Sequence, residues 1–342
     1  MGYKDKDKYH KDLHQQVYDR LKSMQAFGES KKKAIENGTD KKKIFSFKTF
    51  KTYFEHSKYF VKYIKKNHPE CGNLKQVRKY VNEWLQSRVD QGLSAWTVHL
   101  EAKALGKLFG ISPEDPDYFK PPQRKRCDIV RSRIDRVRDK HFSKSNNAEL
   151  IKFCKGVGAR REGLTKMRGR DLLSKDQIIK DIDRIISISK ERKLTPKERS
   201  TLKISKDALL FEKSEYFVYL REKGGRERIA PIVGPDTDAI VERIRGTAPD
   251  DRVFQHVHTQ MDIHGYRSDY SNFIYKQYAR PIETIPYDKV HKGTGNKYQS
   301  QVYHCRKDEK GRELDRQAML LASKALGHNR IDIVANNYLR GL

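Results

Sequence analysis

Apolar positions over the first hundred or so residues recur every three or four places, the period of an amphipathic helix. Leu13, Val17, Leu21 and Met24 make one such face, and Gly28 is placed to end it. Phe47, Phe50, Phe54, Val61 and Ile64 make a second, with Lys48, Lys51, Lys58, Lys62 and Lys65 over much of the remaining surface. Asn73 is placed to cap a helix carrying Leu74, Val77, Val81 and Leu85, and Ser94 one running through Trp96, Leu100, Leu105 and Phe109. These spacings predict a four-helix unit over roughly residues 8–112, with the aromatic stripe in its core and an exposed basic loop at 37–43.

The pattern breaks at residues 112–140, where Pro113, Pro116, Pro121 and Pro122 precede Arg124-Lys125-Arg126. The stretch reads as a basic linker, either a plain tether or a strap along a polyanion. Periodicity resumes with a helix at 147–156 and another at 176–193. Tyr216–Leu220 and Arg228–Val233 then alternate as a β-hairpin around Lys223-Gly224-Gly225-Arg226. Apart from a Gly/Lys-rich loop near 286–300, the rest reads as helix. The expected fold is mainly α with a small antiparallel sheet. Its expected divisions are a basic N-terminal extension with a helix (1–45), a helical DNA-binding domain (46–112), the linker (113–140) and a second domain (141–342).

Charge adds the first functional constraint. The 342 residues hold 73 Lys and Arg against 45 Asp and Glu, a net charge of +28. Such an excess favours a polyanionic partner, because each phosphate neutralised releases condensed counterions. No apolar run approaches membrane-span length and the N-terminus lacks a secretory pattern, so the expectation is a soluble cytoplasmic or nucleoid protein with no membrane partner. Cys71, Cys127, Cys154 and Cys305 form no C-x-x-C pair, and His256 and His258 have no cysteine or carboxylate cluster beside them; no metal site is expected.

Cutting a phosphodiester without metal requires a nucleophile, a proton donor for the leaving oxygen, and cations for the charge building on phosphorus. Arginine suits the last role through its planar fork, and histidine and lysine suit proton transfer. Four separated blocks carry such groups. Gly158-Ala159-Arg160-Arg161-Glu162-Gly163-Leu164 opens a helix; Lys223-Gly224-Gly225-Arg226-Glu227-Arg228 forms the hairpin; Tyr303-His304-Cys305-Arg306 follows; Leu326-Gly327-His328 leads to Asn336-Asn337-Tyr338-Leu339.

In content and order these blocks resemble the tyrosine recombinase family, which includes the phage integrases, over about residues 145–340. The resemblance implies a helical core-binding domain followed by a mostly helical catalytic domain. It implies Tyr338 as nucleophile, Arg160 and Arg306 as the two arginines, Lys223 as general acid and His328 as a further donor. In the family's His-x-x-Arg block the histidine place holds Tyr303, so either Tyr303 or the adjacent His304 serves there. Three residues after Arg160, where the family usually carries an acid, stands Gly163. Arg161, Arg226, Arg228, Lys125, Arg126, Lys48 and Lys51 are the expected DNA contacts. The implied activity is site-specific cleavage and rejoining of double-stranded DNA through a 3′-phosphotyrosine, needing no cofactor, by a homo-oligomer, expected to be a tetramer on two sites. A type IB topoisomerase, an inactive DNA-binding relative and a purely structural nucleic-acid binder are the competing readings.

Overall fold

The computed structural model describes residues 12–125, 142–222, 225–285, 301–306, 309–328 and 330–339. The chain forms two compact units, Met1–Asp128 and Ile129–Leu342. The fold is mainly α with a small antiparallel sheet, as the patterning predicts.

The first unit contains α1 (Leu13–Lys22), α2 (Lys31–Glu36), α3 (Phe47–Asn67), α4 (Leu74–Val77), α5 (Val81–Asp90) and α6 (Ala95–Phe109). Side chains cap the helices as expected: Asn73 and Gln76 form a reciprocal capping box on α4, and Ser94 accepts from the backbone of Thr97 on α6. Leu13, Val17 and Leu21 of α1 share one core with Phe60 and Ile64 of α3, so the helix expected in an N-terminal extension packs as part of the domain. The aromatic stripe is only partly interior. Phe50 and Phe60 are buried, but Phe47, in the first turn of α3, is 65% exposed. On α6 the buried face runs through Val98, Ala102, Leu105 and Leu108, one step round from the expected one, and Trp96 lies exposed beneath the Arg124 guanidinium. The expected linker lies outside the described residues over 126–141, including Arg126.

The second unit contains α7 (Ala148–Val157), α8 (Arg161–Lys166), β1 (Leu172–Ser174), α9 (Lys175–Glu191), α10 (Pro196–Ala208), β2 (Tyr216–Glu222), β3 (Arg226–Pro231), α11 (Thr237–Arg245), α12 (Ile263–Tyr278), β4 (Val302–His304), β5 (Glu313–Asp315), α13 (Arg316–Ala325) and α14 (Ile331–Asn337). The sheet runs β1-β2-β3, all antiparallel, with Leu220 opposite Arg228 and Glu222 opposite Arg226. One face carries Phe217 and Ile229 into a core with α9, α12, α13 and α14; the other carries Val218, Leu220 and Ala230 against α7 and α11.

Two features depart from the patterning. Residues 302–304 and 313–315, expected to be helical, pair as the antiparallel strands β4 and β5, with Tyr303 opposite Leu314. Strands of three residues are too short to show a period. The sheet also gains β1, for the same reason. Among the described residues no helix is long and apolar enough to cross a membrane.

Candidate active site

Five elements converge on one buried carboxylate. The chain leaves α7 through Gly158, which adopts a left-handed φ of +58°. A Cβ at this position would lie 2.2 Å from the Tyr270 ring, so only glycine fits. The turn aims the Gly158 carbonyl inward and leaves Arg160 at the N-cap of α8. Glu222 at the end of β2, Arg228 on β3 and Arg267 on α12 complete the cluster.

Glu222 is 1% exposed and serves three arginines. Its Oε1 accepts from the Arg160 backbone N–H at 2.9 Å and from Arg228 Nη2 at 3.2 Å, and lies 3.5 Å from Arg267 Nη1; its Oε2 accepts from Arg160 Nη1. Further donors are spent on main chain: Arg228 on the carbonyls of Gly158 and Ala325, Arg267 on those of Gly158 and Leu326. The Glu222 Cγ lies 3.5 Å from where a Cβ on Gly163 would stand, an ordinary packing distance, so the carboxylate lies over the first turn of α8. The carboxylate beside Arg160 thus comes from the neighbouring strand.

Three guanidiniums face one carboxylate, leaving a surplus of positive charge in a largely dry place. Burial works to raise the Glu222 carboxyl, but Arg228, Arg267 and Arg160 outweigh it and hold the pKa at about 2. Burial, and then the neighbouring Arg228, draw Arg267 down to about 10, against the opposing pull of Tyr338 and Glu222, so it stays cationic at neutral pH.

His328 and Tyr338 close the site. His328 follows α13 past Gly327, and burial, with Arg160, Arg267, Arg228 and Arg226, depresses its pKa to about 4. It is a neutral imidazole at pH 7. Its Nε2 is buried and has no hydrogen-bond partner among the described residues. Tyr338, only 5% exposed, ends α14; its ring centroid lies 5.4 Å from that of His328 and 5.7 Å from the Arg267 guanidinium carbon. Its backbone is fixed by N–H to the Val334 carbonyl at 2.9 Å and by the Ser268 hydroxyl donating to its own carbonyl.

Of the residues picked out by sequence, the structure brings together Arg160, His328 and Tyr338. Lys223 lies outside the described residues. Arg306 sits exposed just past β4, in which His304 pairs with Glu313 at 3.0 Å and the Arg316 guanidinium covers the Tyr303 ring. The arginines that join Arg160 at Glu222 are Arg228 and Arg267. The sequence does carry a signal for Arg267: His264-Gly265-Tyr266-Arg267 has the His-x-x-Arg spacing, with His264 exposed in the first turn of α12.

The expected DNA contacts divide as well. Arg228 is buried within the cluster rather than turned outward. Arg161 donates to the carbonyls of Val257, His258 and Thr259, tying down that loop. Arg226 is exposed and donates to the Gly327 carbonyl at 2.7 Å. Lys48, Lys51 and Lys125 are exposed on the first unit. Among the described residues no group of three or more His, Cys, Asp or Glu side chains could hold a metal ion.

No family model matches this sequence, and no curated protein matches it. Among solved structures, the crystal structure of XerA recombinase aligns with 95% of this chain and 93% of that chain, at 12% identity and a TM-score of 0.26. Superposition that loose leaves the assignment to the chemistry of the site itself.

Proposed function

We propose that this protein is a tyrosine recombinase that cleaves and rejoins DNA with Tyr338. The observation that carries the reading is the cluster at Glu222: a buried surplus of guanidinium charge with a tyrosine and a neutral histidine against it. A phosphodiester is the anion that such a set fits, since planar forks can grip its two free oxygens.

In this reading the Tyr338 hydroxyl oxygen attacks phosphorus, the bond to the 5′ oxygen breaks, and a 3′-phosphotyrosine forms. Arg160 and Arg267 bind the non-bridging oxygens as charge builds on them, with Arg267 in the place that the sequence suggests for Arg306. Glu222 and Arg228 hold those two guanidiniums in position. His328, neutral and with Nε2 unpartnered among the described residues, can accept the tyrosine proton or donate to a phosphate oxygen according to its tautomer. Lys223 is proposed to protonate the leaving 5′ oxygen. Attack by a 5′ hydroxyl reverses the step, and the phosphotyrosine conserves the bond energy, so ATP is not needed. Exchange between two duplexes would use a homo-oligomer, with four protomers the simplest arrangement.

Incubating the protein with a library of DNA fragments in excess EDTA should give SDS-stable protein–DNA complexes, and Tyr338→Phe should abolish them while retaining DNA binding. Normal complexes from Tyr338→Phe, or an absolute need for divalent metal, would overturn the reading. Relaxation of any supercoiled plasmid without sequence preference would favour a type IB topoisomerase over a site-specific enzyme.

A further inference from the structure

β1 and β2 are hydrogen-bonded antiparallel neighbours, with Ser174 opposite Tyr216. A tight turn suffices to join such strands. The chain instead runs out through α9 and α10. Helix α9 anchors the excursion by burying Ile178, Ile182 and Ile185. Helix α10 packs on β3 and exposes Lys197, Arg199, Lys203 and Lys206. Its two acids are already engaged: Glu198 accepts from Arg192 at 2.6 Å and caps the helix through Thr195, and Asp207 pairs with Lys324 of α13. The helix therefore offers its cationic charge outward.

Between α10, β3 and α13 lies a cleft of about 570 Å³. Ser200, Lys203 and Asp207 line it from α10, Arg226 from β3 and Lys324 from α13, and His328 stands on its wall. Among the described residues Lys203 has no ion-pair partner. The cleft is thus continuous with the candidate active site and richer in cations than in carboxylates. A DNA strand whose phosphate sits at Arg160 and Arg267 must lead its neighbouring phosphates away along an opening of this kind.

We propose that the α9–α10 excursion is a DNA-binding element, in which Lys203 and Ser200, opposite Arg226, hold the backbone next to the reacting phosphate. This rests on the reading of the site given above and assigns it a further substrate contact. The test is the affinity of the full chain for a fluorescein-labelled duplex of random sequence, measured from about 50 to 200 mM salt. Lys203→Glu should weaken binding by about tenfold at physiological salt and flatten the dependence of log K on log salt by about one. Lys190→Glu, exposed on α9 outside the cleft, should stay within about twofold of the unaltered chain. Equal behaviour of the two variants would overturn the proposal. So would a Lys203→Glu variant whose sedimentation changes while its salt dependence does not, since the face would then meet a second copy of the chain. Failure of the recombinase reading is distinguishable, because it shows as the lack of a Tyr338-dependent covalent complex in the unaltered protein.

Discussion

Each unit of this protein buries one glutamate among cations, and the two do so differently. In the first unit Glu101, fully buried, takes two hydrogen bonds from Arg88 at 3.1 Å each, with His56 Nδ1 3.4 Å away. One permanent charge meets one carboxylate, and the pair is closed. In the second unit Glu222 meets three arginines. The first arrangement satisfies the rule that buried ions are paired. The second leaves two guanidiniums beyond the one that the carboxylate neutralises, the surplus that the proposed function assigns to a phosphate. Burial of an ionised residue is therefore not what distinguishes a structural cluster from a functional one; the local charge sum is.

The largest effect should come from removing each carboxylate. Glu222→Ala should destabilise its unit by about 3–5 kcal/mol in denaturant titrations, because it leaves the buried Arg228 and Arg267 uncompensated, and Glu101→Ala should cost less, because Arg88 is only half-buried and can turn to water. Only Glu222→Ala should recover stability on adding sulfate, which can occupy the guanidinium set. Recovery in both variants, or in neither, would erase the contrast.

Next in size are the two candidate second arginines. Arg267→Ala should slow formation of the covalent complex by roughly 10²–10³-fold, the usual cost of losing one preorganised donor. Arg306→Ala should change it less than about threefold, as expected for an exposed arginine outside the cluster. The opposite ranking would restore the reading that sequence order suggests.

Gly158→Ala should cost about 1–3 kcal/mol, since it adds left-handed strain and forces the Tyr270 ring aside. Because Gly158 also presents the carbonyl that Arg228 and Arg267 share, the covalent complex should diminish with it. Normal stability of this variant by thermal melting would contradict the packing described.

The smallest effect is a pH dependence. The folded pKa of His328 is depressed to about 4 from an ordinary value near 6.5, so between these values the unfolded chain binds more protons. Stability of the second unit should therefore fall as pH drops from about 6.5 towards 4, and His328→Asn should flatten that slope. Glu222, depressed to about 2, contributes stability that is present above its unfolded pKa near 4.5 and lost as pH falls through 2. Bound DNA should reduce the His328 slope, because phosphate favours the imidazolium.

The sequence marked helix starts most clearly where a capping side chain stands, as at Asn73 and Ser94, but the single helix expected after Asn73 is broken into α4 and α5 by a 3-10 turn at Arg78–Tyr80. It singled out Arg160, His328 and Tyr338, which the structure places together, because each lies in a short motif with its own glycine or dipeptide. It did not show which arginine joins Arg160, because His-x-x-Arg is a weak pattern: two places approximate it, and only tertiary packing turns Arg267 inward and leaves Arg306 exposed. Glu222 was invisible for a related reason. Its role comes from standing across from Gly163 in space, and nothing in its neighbourhood along the chain marks it. The exposed Phe47 and Trp96 show the remaining limit, since a helical period fixes a face but not how far along the helix its cover extends.

The most direct measurement is to digest the covalent complex with nuclease and trypsin and identify the modified residue by mass spectrometry. The account predicts a nucleotide joined through its 3′ phosphate to Tyr338, with a free 5′ hydroxyl on the released strand. A nucleotide on any other side chain, or a 5′ linkage, would contradict it.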